Sequence, residues 1–143
     1  MPPELDEPGS GEERLRHARS DLALALAVDP AGDILAETLC FHAQQAAEKA
    51  LKAVLVHAGI EFPRTRSLRL LVDLLPDGIR SDPVLEPAVG LTVYAVTTRY
   101  PGEAEPVDKA ELEESLRLAK AIVGWAEIQV QGPLPGLPGI SPA

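Results

Sequence analysis

A lone cysteine, Cys40, excludes any disulfide within this chain of 143 residues. It reads as a small buried hydrophobe rather than a nucleophile. A reactive thiolate needs a base beside it, and His42, two positions on, would point about 200° around a helix from it. Aromatic residues make up only 3% of the chain. That argues against an aromatic-rich sheet sandwich and for close-packed helices of alanine and aliphatic side chains. No apolar run reaches the roughly 18 residues that a membrane span requires. The first residues, Met-Pro-Pro-Glu-Leu-Asp-Glu, are acidic, where a signal peptide would be basic and then apolar. The sequence therefore predicts a cytoplasmic protein with no membrane partner. Cations are scarce too: 13 Lys and Arg against 22 Asp and Glu give a net charge of −9. That excludes a broad nucleic-acid surface, where Lys and Arg contacts to phosphate supply most of the affinity. Metal chemistry lacks its ligands as well. His17, His42 and His57 are well separated, and neither a His-x-x-x-His nor a Cys-x-x-Cys pair occurs. With no Gly-rich phosphate cradle and no nucleophile elbow, the sequence predicts neither a metal nor a cofactor.

What is present reads as one globular domain. Residues 1–9 are Pro-rich and acidic, and 132–143 are rich in Pro and Gly; both are expected to be disordered. Between them, 10–131 carries the helical signals. Ser10 with Glu13 has capping-box spacing, and Leu15, Ala18, Leu22 and Leu26 continue one apolar face until Asp29-Pro30-Ala31-Gly32 stops the helix near Val28. Asp33 is the expected N-cap of a second helix. From Ile34 to Ala58 there is neither Gly nor Pro, with Leu39, Ala43, Ala46, Ala47, Ala50, Val54 and Ala58 on a wide apolar stripe and Gly59 as the stop. Ser67 caps a short helix bearing Leu68, Leu71, Val72 and Leu75, which Pro76-Asp77-Gly78 breaks. Asp82-Pro83 then reads as a helix start. The following Val- and Thr-rich run has strand propensity, but a single strand would have no partner. It is therefore assigned as helix on Leu85, Val89, Val93 and Val96, ending at Pro101-Gly102. Asp108 with Glu111 opens the last helix, whose face is Leu112, Leu116, Ala119, Val123, Ala126 and Val130. The sum is an all-α, antiparallel up-and-down bundle of four long helices plus one short helix.

Candidate chemistry concentrates on the second helix and the loop after it. Between His42 and Arg69 lie Lys49, Lys52, Arg64, Arg66 and Arg69 against Glu48 and Glu61, a locally basic zone on an acidic chain, suited to an anionic ligand or an acidic partner. His42, Gln45, Lys49 and Lys52 fall at steps of three, four and three, on one stripe of the helix that should look outward as a set. Two readings fit. One is a solvated face with a Glu48–Lys52 i, i+4 pair contributing a few tenths of a kcal/mol. The other is a polar groove in which the lysines meet phosphate and Gln45 reads a base or fixes a side chain. Arg99 has the same duality: a cation in the last helical turn is favourable in itself, and it could equally enter the groove or pair across a dimer, with Tyr100 beside it.

The run from Phe41 to Ala53, Phe-His-Ala-Gln-Gln-Ala-Ala-Glu-Lys-Ala-Leu-Lys-Ala, resembles the central helix of the HEPN family (higher eukaryotes and prokaryotes nucleotide-binding). Ala18 through Leu22, Pro63 through Leu75, and Arg99-Tyr100-Pro101 are similar to that family in the same order. The resemblance implies a helical bundle, usually a homodimer, and in many members a minimal nucleotidyltransferase partner in a toxin–antitoxin-like pair. Some branches are metal-independent ribonucleases carrying Arg, four to six residues, then His. This chain departs there. Arg99 is followed by no histidine, and no other Arg–His pair has that spacing. Relatives often have a histidine in Pro-x-x-His-x-Leu, where Pro63-Arg64-Thr65-Arg66-Ser67-Leu68 places Arg66. Arginine cannot exchange protons near neutral pH, so acid–base chemistry at that position is lost while anion binding survives. The expectation is a non-catalytic binding module that homodimerises and engages a partner protein or a nucleotide. Its alternative is a divergent ribonuclease acting on RNA through Lys49, Lys52, Arg99 and Tyr100.

Overall fold

The computed structural model describes residues 9–27, 29–95 and 106–132. Their elements are all helical: α1 (Gly11–Ala25), α2 (Ala36–His57), α3 (Leu68–Asp73), α4 (Asp77–Arg80), α5 (Leu85–Val89), a 3-10 segment (Gly90–Tyr94) and α6 (Lys109–Gln131). The three long helices form the body. Gly11 at the start of α1 lies against Ala53 and His57 at the end of α2 and against Val130 at the end of α6, while Asp21 reaches back to His42 and Lys49. α1 therefore runs antiparallel to the other two. The short elements α3 to α5 and the 3-10 segment carry the chain from the end of α2 back to the start of α6.

Three starts fall where the caps predict them. Ser10 Oγ accepts from Glu13 N at 2.9 Å, Ser67 Oγ from Leu70 N at 3.2 Å and Asp108 Oδ1 from Glu111 N at 2.8 Å. Gly59 takes the left-handed stop with φ +74°. Core positions follow as well: Leu15, Ala18, Ala43, Ala46, Ala47, Ala50, Ala119 and Ala126 are fully enclosed, and so is the free Cys40.

Three expectations are corrected. Asp33 does not cap α2. Asp29 Oδ2 instead accepts from Ile34 N at 2.7 Å, which holds the connection non-helical until the exposed Leu35, whose side chain can cap nothing. α1 also stops at Ala25, so Leu26 is 41% exposed rather than on the core face. The largest difference is at 82–95. In place of one long helix, Asp82 Oδ1 makes a local turn with Val84 N, the α-turns last only from Leu85 to Val89, and the chain tightens to 3-10 geometry at Gly90. The buried residues are Leu85, Ala88, Leu91 and Tyr94, one every third position, which is the period of a 3-10 helix. The four-step stripe is wrong: Val93 is 61% exposed. Thr92 helps select the tighter winding, because its Oγ1 accepts from Leu68 N at 3.2 Å. Val96 and the remaining positions to Pro101-Gly102 lie outside the described residues.

Two local features carry measurable consequences. A Cβ on Gly11 would sit 3.0 Å from the Ala53 carbonyl oxygen and 3.2 Å from His57 Cβ. Alanine normally gains about 0.5–1 kcal/mol over glycine within a helix, but here a backbone oxygen blocks it. Gly11→Ala should therefore destabilise the domain by about 1 kcal/mol net, read as a lower urea midpoint; a higher midpoint would show that the α1–α2 approach is slack. Tyr94 donates its hydroxyl to the Glu111 carboxylate, so that Glu111 braces the 3-10 segment against α6. Burial, reinforced by that bond, pushes the Tyr94 pKa up to about 12 from its ordinary value of 10.0. The folded state then holds this proton more tightly than the unfolded chain. The resulting stability is complete below pH 10.0 and is lost as pH climbs toward about 12. Unfolding followed between those limits should show the decline, and Tyr94→Phe should flatten it.

Candidate functional site

The chemistry is built on α2. From Cys40 to Leu55 nearly every residue is covered by neighbouring elements, where burial favours pairing of the polar groups. Gln44, Glu48 and Lys52 stand one turn apart. Gln44 is fully buried and donates Nε2–H to Glu48 Oε1 at 3.2 Å; Lys52 Nζ donates to Glu48 Oε2 at 3.3 Å. The Glu48 and Lys52 side chains are each 9% exposed. Gln44 Oε1 is buried with no hydrogen-bond partner.

The loop after α2 is pinned over this ladder by Phe62. Its ring lies 5.5 Å from the Arg14 guanidinium and 5.8 Å from Lys52 Nζ, a cation–π contact from each. The chain then passes Arg64, Thr65 and Arg66 across the end of the ladder. Thr65 Oγ1 accepts from Ser67 N at 3.0 Å, and Arg66 donates Nη1–H to the Ala95 carbonyl at 2.9 Å. The result is an open groove of about 470 Å³ lined by Glu48, Lys52, Arg64, Thr65 and Arg66. Among the described residues three cations and one carboxylate line it, a composition suited to an anion.

A second cluster faces α1. Asp21, with a side chain 14% exposed, accepts from Lys49 Nζ at 2.5 Å and from His42 Nδ1 at 3.2 Å. The stripe expected to look outward as a set is thus divided. His42 and Lys49 turn to Asp21, and Lys52 turns to Glu48 beneath the loop. Gln45, only 9% exposed, is covered and does not line the groove. The long aliphatic stems let neighbouring elements cover these residues while acidic partners neutralise the tips. Arg99 and Tyr100 lie outside the described residues. Among those described, no group of three or more His, Cys, Asp or Glu side chains could hold a metal ion.

Sequence reasoning placed Glu48, Lys52, Arg64 and Arg66 among the candidates but missed Gln44, Phe62 and Thr65 beside them, and Asp21 as the partner of His42 and Lys49. Gln44 was accessible, since it precedes Glu48 by one helical turn. The Asp21–Lys49 pairing joins two helices and leaves no local spacing to read.

A family model for the HEPN domain matches residues 12–129. The chain belongs to the HEPN family. The crystal structure of an archaeal HEPN homologue superposes with a TM-score of 0.63 at 28% identity, covering 85% of this chain and 98% of that one. That of TT1696 from Thermus thermophilus gives 0.56 at 36% identity, covering 84% and 92%. Curated proteins include no match to the chain. In this HEPN domain no described helix is long and apolar enough to cross a membrane.

Proposed function

We propose that this HEPN domain is a non-catalytic, cytoplasmic binding module that homodimerises and uses its groove to engage a nucleotide through its phosphates, or a partner protein such as a minimal nucleotidyltransferase in a toxin–antitoxin-like pair. The observation that carries the reading is the convergence of Lys52, Arg64 and Arg66 on one groove in a chain whose net charge is −9. Cations gathered against the overall charge favour a specific anion rather than general polyanion binding. The sequence supports the non-catalytic part, because it has no arginine separated from a following histidine by four to six residues. Association is supported by the apolar side chains exposed around the α1–α2 connection: Leu24, Leu26, Ile34 and Leu35 are 47%, 41%, 38% and 65% exposed, and a partner covering them would remove apolar surface from water.

Calorimetric titration with ATP tests the ligand, and light scattering tests the dimer. Arg64→Ala should weaken ATP about tenfold, the loss of one charge contact near 1.4 kcal/mol. ATP heats that vanish into the baseline for the native protein would remove the nucleotide reading, and a strict monomer would remove the dimer. Purification from the native host should retain the nucleotidyltransferase. Cleavage of total RNA by the purified protein would replace the binding module with a divergent ribonuclease.

A further inference from the structure

The carboxylate in the groove is the unexpected element. A site built for an anion gains nothing from Glu48 unless Glu48 has work to do while the site is empty. Lys52 is almost wholly covered, and an ammonium in such a place needs a counter-charge at all times. Glu48 supplies it at 3.3 Å, and the same carboxylate lines the groove beside Arg64 and Arg66.

We propose that Glu48 is an internal stand-in for the ligand's phosphoryl oxygen: it holds Lys52 in the empty groove and yields that amine to a phosphate when one enters. The proposal rests on the phosphate-binding reading of the groove. In the exchange the Lys52 amine, a flexible point charge with three donors, turns from Glu48 toward the phosphate. Glu48 is not stranded afterwards, because Gln44 still donates to its other oxygen at 3.2 Å. Gln44 is thus a positioning residue: fully buried and one turn behind, it keeps the carboxylate from following the amine into the groove. The ligand class is a phosphoryl group bearing several anionic oxygens. The five lining residues include no ring on which a base could stack, and the nearby Phe62 ring is 4% exposed and already flanked by Arg14 and Lys52.

The test is calorimetric titration of the full chain with inorganic tripolyphosphate, ATP and adenosine. Tripolyphosphate and ATP should bind with affinities within about threefold, a difference under 1 kcal/mol, and adenosine should not bind. Glu48→Gln removes the competing charge and should tighten tripolyphosphate about tenfold, whereas Lys52→Gln should weaken it by at least that factor. Should Glu48→Gln fail to fold, Glu48→Asp retains the charge but shortens its reach, and should tighten binding in the same direction. Unchanged or weaker binding in the Glu48 variant that folds would overturn the stand-in role while leaving the groove's function intact. Binding of adenosine, or of ATP alone, would overturn the phosphoryl-only ligand class. A native protein that takes up neither phosphate compound would overturn the groove reading itself, and the exchange with it.

Discussion

Glu48→Leu should destabilise the domain by about 3 kcal/mol, and adding Lys52→Met should restore most of that loss. The asymmetry follows from burial. With both side chains 9% exposed, the pair's mutual attraction does little more than offset the cost of taking two charges from water. Removing only the carboxylate takes the Glu48 counter-charge from a covered ammonium beneath the Phe62 loop, and that is where the free energy is lost. Removing the amine as well leaves a methionine stem that fills a similar volume and continues to touch the ring. The reverse single change, Lys52→Met, should cost less, because Gln44 remains as a donor to Glu48. Urea unfolding of the two single variants and the double variant forms a mutant cycle that isolates the coupling. Losses that merely add would show that the ion pair carries no interaction of its own. The double variant, though stable, should have lost tripolyphosphate binding, which separates the stability of the groove from its use.

The same pair marks how far sequence reasoning carries. Spacing placed Glu48 and Lys52 one turn apart, and composition located the basic zone. Both signals are local, and both were sound. What covers the pair comes from elsewhere: Phe62, Arg64 and Arg66 arrive on a loop whose path no periodicity encodes. A charged stripe that admits both a solvated face and a groove in sequence is divided in the fold, with Lys52 against Glu48 beneath the loop and His42 and Lys49 against Asp21. Asp21 is the same case across two helices, since its bond to Lys49 spans 28 positions. Helix starts were legible at Ser10, Ser67 and Asp108 because a cap is a contact between near neighbours. At Asp33 the same logic failed, because Asp29 competes for the connection and wins the Ile34 amide. The 82–95 run failed differently. Its composition admits strand, α-helix and 3-10 winding alike, and the choice falls to tertiary contacts, Thr92 with Leu68 and Tyr94 with Glu111.

The alanines of α2 carry the second large effect. Ala43, Ala46, Ala50 and Ala53 have no exposed surface, and they share the side of α2 bracketed by two contacts with α1: Gly11 at Ala53, and Asp21 at His42 and Lys49. Small side chains there let the two backbones approach, as ridges and grooves require. Ala50→Leu inserts a branched chain where the helices have little slack, for even a Cβ at Gly11 would meet the Ala53 carbonyl oxygen at 3.0 Å. The helices must part, or the leucine must leave its preferred rotamers, and either outcome costs about 3 kcal/mol. Parting would also stretch the Asp21–Lys49 bond, so the loss should be accompanied by weakened coupling between those two residues in a mutant cycle. Ala58→Leu, one position beyond α2 and exposed, adds the same atoms and should change stability by no more than about 0.5 kcal/mol. Chemical denaturation compares the two directly. Equal midpoints would mean that α1 and α2 are not in close contact along this face. The ladder from Gln44 to Lys52 would then lose the rigid helix pair on which its geometry depends.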